Sequence, residues 1–317
     1  MRSKAWIRLA LFGTCCLCMQ GQWLNYPTPG IPRTKDGKPN LSAPAPRAAN
    51  GKPDLSGLWM VEATPLTELP PQAASTTAFE GPTAQPLRNR YLFNILADFK
   101  PEDSPMLPAA QEIYRQRRLN DSADLPSSRC LPSGIPLSMT LPYPFKFVQT
   151  PEVLIVLHEG DSAIRQIYTD GRKHTPDPQP TFMGYSIGTW DGDILVVDTV
   201  GFNDNGWLDN RGSPRSDALH TVERIARRDF GHLNIEVTLD DPKMYKKPFT
   251  VKFSACHPVG WFCLKRWSTP SIAPRHKRPS PSTPALKIAV RQPRVGSDTR
   301  VSRPDSSRTV CVRLSTC

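Results

Sequence analysis

The stretch that decides the fold is FMGYSIGTWDGDILVVDTV, residues 182–200. Its two halves, residues 182–190 and 194–200, are rich in β-branched and aromatic side chains and flank Asp191-Gly192. Asp-Gly between two such runs is typical of a tight hairpin turn, because the central residues of that turn need a positive φ. The stretch therefore predicts two antiparallel strands.

Segments of the same kind extend from this hairpin in both directions. They are residues 145–149, 153–158, 163–169, 220–228, 233–239 and 249–253. Residues 233–239 alternate between apolar and polar side chains, which predicts one buried and one solvent-facing side. Eight strands in order predict a mainly β fold, an antiparallel meander. Closing it as a lipocalin-like barrel or a sandwich would remove its exposed edges.

The N-terminus carries an export pattern. Arg2, Lys4 and Arg8 precede a short apolar run that ends at the small residue Gly21. A positive start, a short apolar run and a small residue predict a signal peptide over residues 1–21. The run is too short for a bilayer span. We therefore expect a periplasmic or secreted protein with no integral membrane segment in the mature chain.

Two further parts precede the strands. Residues 22–86 are rich in Pro, Gly, Ala and Thr and contain two Gly-Lys-Pro turns, which predicts an extended arm on the surface. Residues 87–99 and 108–119 have helical spacing and predict two short helices. These helices and the strands are expected to form one domain over residues 87–255.

The net charge of +11 is concentrated in the last part of the chain. Residues 256–317 hold 12 Lys and Arg against two Asp, and the other 255 residues hold 28 basic and 27 acidic groups. The near-neutral body has no long-range field to gather phosphates, so no nucleic acid is expected to bind the folded domain.

Residues 256–317 are rich in Ser, Thr, Pro and basic residues, which predicts a disordered tail. One interpretation is a basic arm for nucleic acid or anionic lipid. The other is a reading frame that slips near codon 255. We favour the slip, because the strand pattern stops where one more strand is expected.

Several separate segments carry a family resemblance. They are residues 23–27, 51–59, 129–134, 184–188, 190–193, 197–204 and 220–245. Over roughly residues 22–253 the chain resembles a large group of uncharacterised exported proteins of soil bacteria. The resemblance implies no activity. It implies a further β region after residues 247–251, often with a cysteine, which would be the expected partner of Cys130.

The densest polar cluster, residues 203–210, precedes His220, Glu223 and Arg224. Asp209, His220 and Glu223 are the candidates for acid and base residues of a hydrolase or isomerase. In the other interpretation the Asn and Asp residues form turns, and Glu223 and Arg224 form surface ion pairs. His220 and Glu223 are expected to face opposite sides of a regular strand.

Other chemistry is not indicated. The histidines have no short paired spacing, so neither a metal nor a cofactor is predicted. Residues 184–188 spell Gly-x-Ser-x-Gly, but the motif lies within an apolar strand and lacks the strand–turn–helix context of a nucleophile.

The leading hypothesis is therefore binding of a small hydrophobic or amphipathic molecule in the barrel. The residues expected near its mouth are Arg165, Tyr185, Trp207, His220 and Arg224. The alternative is the hydrolase or isomerase on the same barrel, so the pattern leaves open whether the protein is an enzyme.

Overall fold

The computed structural model describes residues 30–64 and 89–258. The predicted signal peptide, and the predicted tail from residue 259 onward, lie outside these ranges. Among the described residues, no helix is both long enough and apolar enough to cross a membrane.

Nine strands form a closed barrel in which each strand pairs with its neighbours in sequence and the first pairs with the last. The strands are β1 (Gly57–Val61), β2 (Phe145–Gln149), β3 (Val153–His158), β4 (Ile164–Tyr168), β5 (Tyr185–Asp191), β6 (Ile194–Val200), β7 (His220–Asp229), β8 (His232–Asp240) and β9 (Phe249–Cys256). The prediction of a mainly β, barrel-like fold is confirmed.

The barrel departs from a pure meander between β4 and β5, which are parallel. Only two residue pairs join them, Ile167 with Ser186 and Tyr168 with Ile187. Parallel neighbours need a long crossover connection, and residues 169–184 provide one. This short parallel contact, the β4–β5 seam, therefore has the fewest paired residues among the consecutive strands of the barrel.

Strand β1 lies where the sequence pattern indicated a surface arm. It pairs with β2 on one side and β9 on the other. Trp59 is fully buried, and its Nε1 donates a hydrogen bond to the carbonyl oxygen of Leu55 at 3.0 Å. Four of its five residues are buried, so β1 lacks the alternation that marks a half-exposed strand. β1 thus supplies the closing strand that the pattern lacked, and β9 continues to Cys256.

The described residues between β1 and β2 include three α-helices: α1 (Arg90–Phe93), α2 (Pro108–Leu119) and α3 (Leu137–Thr140). Short 3-10 turns cover Pro101–Asp103 and Pro126–Arg129. The helix predicted over residues 108–119 has those bounds in the structure. The helix predicted over residues 87–99 is a single turn, capped by the Asn89 side chain on the Tyr91 amide at 3.0 Å.

Buried apolar side chains occupy the barrel interior. They come from all parts of the sheet and include Phe145, Phe147, Leu154, Val156, Ile167, Leu195, Val197, Ile225, Ile235, Val237 and Val251. Strand β8 alternates between buried and more exposed positions, as the sequence pattern predicted.

Candidate functional site

The barrel interior contains one ion pair, between Arg165 of β4 and Glu223 of β7, with side chains 1% and 0% exposed. Arg165 Nη1 donates to Glu223 Oε1 at 3.1 Å and Nη2 donates to Oε2. Its Nε donates to Ser186 Oγ of β5 at 3.1 Å, and Nη2 also donates to Thr199 Oγ1 of β6 at 3.0 Å. The guanidinium therefore joins four strands across the β4–β5 seam, and four hydrogen bonds to three side chains engage each of its nitrogens.

Asp209 lies in the loop between β6 and β7 and is fully buried. Its carboxylate accepts hydrogen bonds from the Ile95 amide at 2.8 Å, from Ser213 Oγ at 2.6 Å and from the Arg211 amide at 2.9 Å. Burial raises the pKa of Asp209. These contacts make Asp209 an organiser of the loop rather than a group that faces a ligand.

The three candidates for acid and base residues are not brought together. Asp209 contacts its own loop, and Glu223 contacts Arg165 inside the barrel. His220 is on the outer face of β7, so the expectation that it and Glu223 face opposite sides is confirmed.

The residues expected near the barrel mouth are also dispersed. Arg165 is interior, and Trp207 is buried beneath the guanidinium of Arg117, whose Cζ lies 4.5 Å from the ring centroid. Arg224 is on the outer surface and donates to Asp191 Oδ2 at 2.9 Å. Only Tyr185 and His220 belong to one polar group on the outer surface.

That group is the Asp198 cluster, which consists of Tyr168, His174, Tyr185, Asp198 and His220. His174 Nε2 lies 2.7 Å from Asp198 Oδ1, and His220 Nε2 lies 3.1 Å from Asp198 Oδ2. Two imidazoles thus share one carboxylate, each on its own oxygen. The three side chains are 27%, 43% and 41% exposed for His174, Asp198 and His220.

Aromatic rings lie beside the His174 imidazole of this cluster. The rings of Tyr168 and Tyr185 have centroids 5.5 Å apart, and the His174 ring meets Tyr185 edge-on at 5.9 Å. The Arg172 guanidinium carbon lies 3.8 Å from the Tyr168 centroid, and Arg172 also pairs with Asp170. The cluster therefore combines flat apolar surface with hydrogen-bonding groups.

Strand geometry places these side chains together. Asp198 is an outward position of β6 and is paired with Val222 of β7, two residues from His220. His174 lies in the connection 169–184, which is hydrogen-bonded to the start of the loop that follows β6. The Thr181 amide donates to the Gly201 carbonyl at 3.0 Å, and the Asn203 amide donates to the Thr181 carbonyl at 2.9 Å.

The hydrogen bonds define what the cluster can do chemically. An ionised carboxylate only accepts, so each Nε2 that it holds carries the hydrogen, and Nδ1 has the lone pair in the neutral form of each ring. Within the described part of the chain, His174 Nδ1 is buried and has no hydrogen-bond partner. Residues 30–64 and 89–258 contain no group of three or more His, Cys, Asp or Glu side chains arranged to hold a metal ion.

Sequence reasoning missed His174 and Asp198. The alternation of β6 did mark Asp198 as an outward carboxylate in an apolar strand. Its partners could not be found from spacing, because long connections separate β6 from both histidines.

Comparison with known proteins adds no functional label. No family model matches the chain, no curated protein is similar to it, and no solved structure matches it.

Proposed function

We propose that this protein binds a small amphipathic molecule at the Asp198 cluster, on the outer surface of the barrel. The observation that carries the proposal is one half-exposed carboxylate that holds two imidazoles beside the ring of Tyr185. Binding sites for small molecules combine apolar surface with a few fixed polar groups. The tyrosine rings provide the first, and the Asp198 and His220 side chains provide the second.

The contacts favour the outer surface over the barrel interior. Large buried side chains such as Phe145 and Phe147 occupy the interior, with ring centroids 5.3 Å apart. The interior cation, Arg165, is engaged by Glu223 and two hydroxyls. A ligand inside the barrel would have to displace these contacts, whereas the Asp198 cluster is open to solvent.

Dye titration tests the proposal. The probe is Nile red, an uncharged aromatic dye whose fluorescence rises in an apolar environment. We expect saturable binding that Tyr185→Ala weakens about 2- to 10-fold, because a contact between aromatic rings contributes roughly 0.5–1.5 kcal/mol.

Tyr143→Ala is the matched control, because Tyr143 is also exposed but belongs to the segment before β2. It should leave the dissociation constant unchanged. Equal binding by wild type and Tyr185→Ala, or no saturable binding by wild type, would refute the proposed site.

We also propose that the protein is exported. The support is the sequence pattern of residues 1–21, with basic residues before a short apolar run. Expression in a bacterial host followed by cell fractionation and mass measurement tests it. Full-length protein retained in the cytoplasm would contradict export.

A further inference from the structure

We infer that the Asp198 cluster is also a proton-transfer site. In this site His220 is the base that takes a proton from water during hydrolysis of a bound ester. This inference rests on the proposed binding function and adds a reaction to it. It replaces the carboxylates Asp209 and Glu223, which the sequence pattern suggested, with Asp198.

The geometry of His220 suits a base. Its Nε2 is 3.1 Å from Asp198 Oδ2, so the ring is oriented and the hydrogen is held on that nitrogen. The lone pair then lies on Nδ1. The side chain is 41% exposed, so a molecule from solvent can approach it.

Asp198 and His174 are positioning residues. Asp198 fixes the ring orientation and the tautomer of His220, and His174 fixes Asp198 through the other carboxylate oxygen at 2.7 Å. His174 is the less accessible imidazole, because its Nδ1 is buried and its ring packs against Tyr185. A carboxylate held on both oxygens cannot rotate freely, which keeps the His220 contact in place.

The reaction that these groups support is hydrolysis with water as co-reactant. His220 Nδ1 takes a proton from water while the water oxygen bonds to the ester carbonyl carbon and the π electron pair of the carbonyl moves to its oxygen. That pair then re-forms the C=O bond as the bond from the carbon to the alkoxy oxygen breaks, and the His220 proton passes to the departing oxygen. The products are an acid and an alcohol, and the imidazole returns neutral. The chemical class of substrate is an ester with an aromatic or amphipathic group, which the rings of Tyr168 and Tyr185 would hold.

The test uses the full chain and p-nitrophenyl acetate, with release of p-nitrophenolate followed by absorbance. His220→Gln should lower kcat/KM about 100-fold, since a positioned base contributes 10²–10⁴-fold. His232→Gln is the matched control. His232 Nδ1 pairs with Asp229 Oδ1 at 2.5 Å, so it forms a second His–Asp contact outside the cluster. This control should leave the rate unchanged.

The positioning role has its own readout. Asp198→Asn should lower kcat by a larger factor than it raises KM, because the tyrosine surface is untouched and only one polar group of the binding site is altered. Nitrogen NMR of His220 should show hydrogen on Nε2 in wild type and a mixture of tautomers in Asp198→Asn. Far-ultraviolet circular dichroism of each variant establishes that the barrel is folded.

The outcomes separate the two proposals. Equal rates for His220→Gln and wild type, or no turnover above buffer while the dye still binds, would overturn proton transfer and leave the binding function standing. Absence of dye binding by wild type would overturn the binding function. A loss of turnover confined to His220→Gln and Asp198→Asn, with His232→Gln unaffected, is the result expected.

Discussion

Replacing Glu223 with glutamine should reveal how the barrel holds the short parallel β4–β5 seam. The substitution keeps the size of the side chain and removes its charge and one of two acceptor oxygens. The Arg165 guanidinium would then stay 1% exposed without a carboxylate. Its remaining partners would be the hydroxyls of Ser186 and Thr199 and one amide oxygen.

The magnitude follows from burial. Removing one partner of a buried ion pair costs about 3–5 kcal/mol, because the other charge is left uncompensated. Folded domains are stable by roughly 5–15 kcal/mol, so this is a large fraction of the total. The double variant Arg165→Met with Glu223→Leu removes both charges, and the hydroxyls of Ser186 and Thr199 remain 3.0 Å apart. It should be more stable than Glu223→Gln, because two apolar side chains often replace a buried pair at little cost.

Urea unfolding followed by tryptophan fluorescence measures these free energies. Glu236→Gln is the control, because Glu236 pairs with Lys252 at 2.9 Å on the outer face, where its side chain is 42% exposed. An exposed pair contributes no more than about 1 kcal/mol. If Glu223→Gln costs no more than Glu236→Gln, the interior pair does not hold the β4–β5 seam.

Three further substitutions test the packing. Burial lowers the pKa of His158 from 6.5 to about 4, so the folded state loses stability as pH falls from 6.5 towards 4. The free energy of unfolding falls by about 1.4 kcal/mol per pH unit in this range. His158→Leu removes the titrating group, so its free energy of unfolding, measured with urea at pH 7, 6 and 5, should fall less than that of wild type. Gly206→Ala should cost about 2 kcal/mol, because its Cβ would lie 2.1 Å from buried Arg215, and a smaller shift of the urea midpoint would contradict that contact. Trp59→Ala should cost about 4 kcal/mol in the same assay, since β1 closes the barrel, and a loss below about 1 kcal/mol would argue for a surface arm.

The strands could be predicted where one face is buried and the other is wet. Residues 153–158 and 194–200 alternate in burial and have the predicted bounds. β1 escaped prediction because both of its faces are covered, so it lacks a period of two. The parallel seam escaped because strand direction after the connection 169–184 depends on tertiary contacts rather than on local pattern.

The site was harder to predict than the fold. His220 was identified because it opens a strand after a polar loop, and its outward direction follows from alternation. Its partner Asp198 precedes it by a long loop, and His174 lies in another loop, so only the closed barrel brings the three together. Glu223 and Asp209 were predicted to be acid and base residues because they carry carboxylates. Both are buried and hydrogen-bonded within the fold, so they stabilise the structure instead.

In strands β6 and β7, the inward side chains contact the interior ion pair, and the outward side chains form the proposed site. Thr199 points inward to Arg165, and its neighbour Asp198 points outward to two histidines. Glu223 is likewise inside, while His220, on the same strand, is outside. Because successive side chains of a strand face opposite sides, the two sets make separate side-chain contacts and are joined through the backbone of the strands. The interior pair can therefore set the register of the sheet, and that register in turn places Asp198 beside His220.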